Sequence, residues 1–219
     1  MAGKIRIKLK RLMITPLSED EMMKLILTER DETMRRRYTT MLTDAREHAD
    51  AWNYHTAWKA ALKKQPEETL GTVFFIRGPE NGTVGIGYAL RAGHEDMQYA
   101  EEALAGLAEW AFSQQDVYRV FIHTEDDQVL SAEVLKEKGF ANGEGEWAGL
   151  QVCEKAQTVW LPVYICLFFA IGISIGILFR QLIPGTLLGT AAGAGIGRLM
   201  DQSERKHREK VMTALPENS

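Results

Sequence analysis

The chain has 219 residues, enough for one domain of ordinary size and a smaller second piece. Its formal net charge of -4 and pI near 5.8 exclude the broadly basic surface expected of a nucleic-acid binder. Two cysteines, Cys153 and Cys166, exclude a disulfide scaffold and a cysteine-based metal framework.

Residues 1–11 are basic with no apolar core behind them, which argues against a signal peptide. Residues 4–14 alternate charged and apolar side chains, predicting one half-exposed strand with a basic outer face, suited to a sheet edge guarded by lysines. Ser18 and Glu21 form a capping-box pattern opening a helix that runs through residue 27. A second helix is predicted over residues 31–51, with Met34, Tyr38, Met41, Leu42 and Ala45 on one side and a solvated run of Arg35, Arg36 and Arg37 on another. The aromatic run from Trp52 to Trp58 leads into a strand over residues 57–63, with Tyr54 and Trp58 in the core or lining a groove. Residues 72–76 read as the next strand, and Pro79-Glu-Asn-Gly82 as a tight hairpin turn, because Asn-Gly accepts the positive φ such turns require.

Residues 83–90 carry no charge and read as a strand, while Ala100, Ala103, Leu104, Leu107, Ala108 and Ala111 recur at helical spacing. The loop between them faces a helix N-terminus, where unpaired backbone N–H groups and the helix dipole favour phosphate. Glu95 and Asp96 would be stabilised at that end without any ligand. Residues 117–124 predict a buried strand, 131–138 a helix ended by Gly139, and 140–147 the opening of a last hairpin. An antiparallel meander feeding a strand and helix predicts an α+β domain.

The chain then changes character. Residues 156–179 contain no charge and carry Trp160 and Tyr164 near their start, which predicts a membrane helix with Cys166 as a packed thiol inside it. Arg180 ends this helix, Pro184-Gly185 makes the turn, and a second uncharged stretch covers residues 181–197. Gly185, Gly189, Gly193 and Gly197 recur every fourth residue, as do Gly172 and Gly176. Such a small-residue face lets the helices pack as a hairpin or assemble between chains. The cationic excess of Arg198, Arg205, Lys206, Arg208 and Lys210 predicts a cytoplasmic C-terminus, and two spans then put the N-terminal domain in the cytoplasm too.

Three segments carry a family resemblance: Gly71-Thr-Val-Phe-Phe-Ile-Arg-Gly-Pro-Glu-Asn-Gly-Thr-Val-Gly-Ile-Gly-Tyr88, Tyr99-Ala-Glu-Glu-Ala-Leu104, and Ser131-Ala-Glu-Val-Leu-Lys-Glu-Lys-Gly-Phe140. Over about residues 8–150 the chain resembles the GNAT superfamily of acetyl-CoA-dependent N-acetyltransferases, and within it the ribosomal-protein alanine acetyltransferase branch. The resemblance implies the GNAT acyl-CoA N-acetyltransferase fold, a central mixed, mostly antiparallel sheet with flanking helices, to which a two-helix transmembrane hairpin is joined. The expected division is 1–155 for the acetyltransferase-like domain, 156–200 for the hairpin (helices about 157–179 and 182–199) and 201–219 for a polar cytoplasmic tail. The hairpin resembles small bacterial glycine-zipper membrane proteins.

The resemblance also implies acetyl-CoA as cofactor, held by Tyr88, Leu90, Glu95, Asp96, Met97, Gln98, Tyr99, Ala100, Gln128 and Ser131. An amine acceptor would lie in a groove between the first helices and the strand at 117–124. Amine acetylation needs a base or water relay, an N–H dipole for the thioester oxygen and a proton donor for the leaving thiolate. Against the family pattern, both loop glycines are absent where this chain reads Glu95, Asp96, Met97 and Gln98. Gly85 stands where close relatives often carry a Glu suited to the base role. Gln128 replaces the Asn of Asn-x-x-Ser, and Leu135 takes the position where many members have Tyr. His123 is then the base by residue type, with Ser131 retained beside the cofactor; the bland alternative for His123 is a structural strand residue before the acidic turn at 125–127. His94, next to the altered loop, suits a surface position.

Two functions follow. One is a membrane-anchored N-acetyltransferase acting on a protein N-terminus or a small amine. The other is a catalytically silent GNAT-fold binding or scaffold module tethered to the membrane. Expected partners are membrane lipid, the amine acceptor and a second copy through the glycine faces, with no nucleic acid and no metal.

Overall fold

The computed structural model describes residues 5–91, 97–115, 117–122, 132–144, 148–156 and 159–213. The chain divides into two compact units, Met1–Lys155 and Ala156–Ser219.

In the first unit the N-terminal alternation folds back on itself instead of forming one strand. β1 (Ile7–Lys8) pairs antiparallel with β2 (Leu12–Pro16), placing Ile7 opposite Ile14, and the Leu9 N–H donates to the Leu12 carbonyl at 2.9 Å across the reversal. α1 (Glu19–Thr28) starts from the capping box, with Ser18 N–H on the Glu21 carboxylate at 2.9 Å and Glu21 N–H on the Ser18 hydroxyl. α2 (Glu32–Glu47) is capped by Asp31, whose carboxylate accepts from Met34 N–H at 2.8 Å. It buries Tyr38, Met41, Leu42 and Ala45, while Arg35 and Arg36 pair with Glu32 and Arg37 lies over the Phe74 ring.

α2 stops short of residue 51 because His48 leaves helical geometry, and a 3-10 turn (Ala49–Ala51) and the short helix α3 (Trp52–His55) follow. Two indoles explain the reorientation. Trp52 Nε1–H, on a half-buried ring, donates to the Leu17 carbonyl, and Trp58 Nε1–H, on a buried one, to the Asn53 carbonyl, so each indole has its acceptor. β3 (Trp58–Leu62) then enters the sheet.

β4 (Gln65–Glu80) is far longer than its apolar centre at 72–76 predicts, because its polar first half is held by pairing with β3, Leu62 opposite Gln65. Asn81 and Gly82, with φ of 49° and 70°, make the two-residue turn to β5 (Thr83–Leu90). α4 (Met97–Ser113) begins three residues earlier than the apolar stripe alone predicts. β6 (Arg119–Ile122) runs parallel to β5, with Val84 opposite Val120 and Ile86 opposite Ile122. α5 (Ala132–Glu137) is followed by Gly139 at φ 87°, and β7 (Ala141–Asn142) pairs with β8 (Gln151–Glu154).

Among the described residues eight strands form one mixed sheet in the order β1-β2-β3-β4-β5-β6-β8-β7, with β5/β6 its parallel pair. Neighbouring side chains alternate between faces. Phe75, Val73, Val84 and Ile86 join Leu104 and Leu107 of α4 on one side, and Phe74 joins Met22, Tyr38 and Leu42 on the other. Tyr54, Trp58, Phe75 and Trp110 add tilted ring contacts with centroids 4.9 to 5.8 Å apart.

The second unit is an antiparallel pair, α6 (Trp160–Leu178) and α7 (Leu182–Thr213). The reversal lies at Phe179 to Gln181, with Arg180 at φ 54°, and not at Pro184-Gly185. Pro184 sits in the first turn of α7, where a missing N–H costs no helical bond. A Cβ on Gly185, Gly189, Gly193 or Gly197 would collide with the backbone of Gly172, Phe168, Tyr164 or Leu161 respectively, so this face is filled by α6 of the same chain. Cys166 is exposed, contrary to the packed thiol expected, because α7 covers one side of α6. At the open end Asp201 accepts from Trp160 N–H and Glu204 from the Trp160 indole, both at 2.6 Å. α7 continues as helix through the charged residues to Thr213. Among the described residues one helix, α6, is long and apolar enough to cross a membrane, with a mean hydropathy of 2.4.

Candidate functional site

The end of β5 and the beginning of α4 bring together part of the residue set read from the sequence. Tyr88 and Leu90 are half-buried on β5, opposite Val73 and Gly71 of β4, and pack on the core beneath α4. Gln98, Tyr99 and Ala100 form the first turn of α4, with Met97 as its first helical residue. Ala100 is buried in the core, which leaves its backbone as the part able to meet a ligand. Glu95, Asp96, Gln128, His123 and Ser131 lie outside the described residues, as do His94 and the acidic turn at 125–127.

Sequence reasoning missed Arg11. It sits at the β1–β2 reversal and its backbone N–H and Nε–H donate to the two carboxylate oxygens of Glu102, at 2.6 and 2.8 Å. Its remaining nitrogens reach the Gln98 side chain at 3.1 Å and the Gln98 carbonyl at 3.0 Å, and the guanidinium lies 4.7 Å from the Tyr99 ring centre. Burial alone would raise the Glu102 carboxyl, but the Arg11 guanidinium and the Arg11 and Leu12 backbone N–H groups outweigh it and hold it below the usual carboxylate range. No local pattern announces this cluster, because Arg11 and Glu102 are 91 positions apart.

On the opposite face of the sheet, Gly85 and Gly87 form a floor beside Phe121, Phe74 and Ile76. A Cβ on Gly85 would collide with the Phe121 ring, and one on Gly87 would crowd Phe74 and Ile76. The parallel register sets Phe121 directly beside Gly85, so the space a side chain at 85 would need is taken by an aromatic ring. Nearby, Tyr38 and Thr72 share a buried hydrogen bond of 2.7 Å, and burial pushes the phenol up to about 12. Cys153 is buried, and burial, followed by the neighbouring Glu154, raises its thiol. Among the described residues no three His, Cys, Asp or Glu side chains converge on a metal position.

Residues 11–141 match the family model described as "Acetyltransferase (GNAT) domain". An uncharacterized N-acetyltransferase of Bacillus subtilis, YjdG, is 35% identical over 80 residues, 36% of this chain and 48% of that protein. The chain therefore spans about half the length of the curated relative it matches. Among solved structures, an acetyltransferase from Agrobacterium tumefaciens superposes with a TM-score of 0.49 at 19% identity, over 72% of this chain and 97% of that one. A putative ribosomal-protein-serine acetyltransferase from Vibrio cholerae superposes at 0.47 and 15% identity, over 71% and 100%.

Proposed function

Because the chain belongs to the GNAT acetyltransferase family, we propose that it is an N-acetyltransferase that takes acetyl from acetyl-CoA to the amine of a protein N-terminus or a small molecule. The observation that carries this reading is the parallel β5/β6 pair, with α4 following β5 so that its first turn closes the strand end. Acyl-CoA supplies an activated thioester. The chain's share is to bind and orient it: backbone N–H groups at Met97, Gln98 and Tyr99 suit the pyrophosphate, and half-buried Tyr88 and Leu90 suit the apolar arm. His123 is proposed to take the ammonium proton and Ser131 to lie beside the cofactor.

Calorimetric titration of acetyl-CoA into the full chain in detergent tests this reading. Binding in the micromolar range, about -8 kcal/mol, is the expected result; no heat at millimolar ligand from a folded sample overturns it. A specific observation favours a second reading, a silent binding module. Phe121 fills the place beside Gly85 where a carboxylate base would stand. Binding of acetyl-CoA without transfer to any of a broad set of amines would favour this module.

The hairpin is proposed as a membrane anchor. α6 has 19 residues and so is about 29 Å long, close to the roughly 30 Å hydrocarbon core. Val163, Leu167, Phe169, Ile171, Leu187 and Leu188 are exposed on its outer faces and suit lipid. Trp160 and Tyr164 suit one interface and Arg180 the other, with both chain ends cytoplasmic. Labelling of single cysteines at 180 and 210 in a Cys-free chain tests the topology: 210 reacting only from the cytoplasm and 180 only from the far side is expected.

A further inference from the structure

We infer that Arg11 is a positioning residue for acyl-CoA, holding the first turn of α4 in the orientation that aims its backbone N–H groups at the pyrophosphate; this rests on the acetyltransferase reading above. Gln98, Glu102 and Gly106 are spaced four apart and lie on one stripe of α4. The β1–β2 reversal lies along that stripe. Arg11 spans Gln98 and Glu102, while the Leu9 side chain fills the space over Gly106, where a Cβ would collide with it. The reversal thus works as a splint fixed at both ends, apolar over Gly106 and ionic at the helix start.

The chemistry requires a guanidinium. Its planar fork reaches a carboxylate, a side-chain amide and a main-chain carbonyl at once, while its face covers Tyr99; a lysine ammonium offers no such fork. Glu102 accepts three hydrogen bonds from Arg11 and Leu12, so it ties the strand backbone as well as the side chain to the helix. Helix N-termini fray when nothing holds the first turn, and N–H groups that wander bind an anion less well than fixed ones. Because the Arg11 charge is already matched by Glu102, its action on the ligand is geometric. The phosphate-free half of the cofactor should not feel it.

The test compares CoA with pantetheine, which lacks the pyrophosphate, on the full chain in detergent. In Arg11→Met the expected result is a roughly ten-fold weaker CoA affinity, about 1.4 kcal/mol, with pantetheine affinity and the salt dependence of CoA binding unchanged. Glu102→Gln, which keeps the side-chain shape, should weaken CoA binding in the same way. The double variant should be no worse than the single ones, because both remove one clasp. Arg11→Met binding CoA as the native chain does overturns the inference; so does loss of CoA and pantetheine alike, additive effects, or a loss that vanishes at high salt. Should Arg11→Met fail to fold, Glu102→Gln carries the same comparison. Failure of the native chain itself to bind CoA removes the acetyltransferase reading and this inference with it, whereas native binding with an unaffected variant removes only the inference.

Discussion

The two units hold their elements together by opposite means. In the first, large side chains interdigitate: Trp58, Phe74, Leu104 and Ile122 are almost wholly buried between sheet and helices. In the second, the contact between helices is built from missing side chains, with glycines of α7 against the backbone of α6 and the large apolar residues turned outward. In water, folding is driven by burying apolar side chains, and the second unit inverts that arrangement by leaving its leucines outside and its glycines inside. The same residue types are thus placed oppositely in the two units, and the outward apolar face of the second is what the proposed membrane anchor rests on.

That contrast can be broken from either side. The largest effect is expected in the first unit, where Phe74→Ala removes a buried ring between α2 and the sheet and should cost about 3–5 kcal/mol. Urea denaturation followed by near-UV circular dichroism measures it, and a loss under 1 kcal/mol would mean the ring is not a core element. Next comes Gly189→Val, which drives a branched side chain into the Phe168 carbonyl. It should cost roughly 1–3 kcal/mol of helix pairing and lengthen the distance between spin labels at 167 and 187. Gly195→Ala faces open space and should leave that distance unchanged.

Smaller effects come from titration. Glu102 is held below its unfolded value, so its contribution to stability is complete above about pH 4.3 and fades as pH falls through the lower folded value. Glu102→Gln should lower stability near neutrality, where the contribution is complete, and flatten the acid limb, since nothing is then left to lose on acidification; an unchanged acid limb would sink the clasp described for Arg11. The smallest effect involves His55, whose ring stacks on His48 at 4.6 Å. Burial, then the neighbouring His48, lowers its pKa, with Asp44 and Asp50 opposing. The folded state therefore resists protonation, and stability should decline as pH drops below about 6.5. His55→Phe should remove that decline, checked by melting temperatures at pH 7.5 and 5.5.

What the sequence disclosed was whatever depends on near neighbours. The Asn81-Gly82 turn needs positive φ and names its residues; the capping box joins positions three apart; the α4 stripe repeats at helical spacing. Features set by distant partners were hidden. The alternation at residues 4–14 suits one strand as well as two, and the choice is made where Leu9 and Arg11 meet α4. The end of α2 is fixed by the acceptors that two indoles find, and Phe121 beside Gly85 exists only through the parallel register. Of the candidate site, Tyr88, Leu90, Gln98, Tyr99 and Ala100 gather at one end of the sheet, whereas Arg11 and Glu102, which hold that end, carried no signal.

α7 is one uninterrupted helix of 32 residues, about 48 Å from the turn to Thr213, and this gives it an angular memory. The side that meets α6 at Gly185 to Gly197 is also the side that brings Asp201 and Glu204 to Trp160. Inserting one residue after Arg198 would turn everything beyond it by about 100° and swing both carboxylates off the indole, whereas inserting four would bring them back to within about 40°. The charged end is thus geared to the apolar hairpin, and a length change of one residue there acts as a rotation.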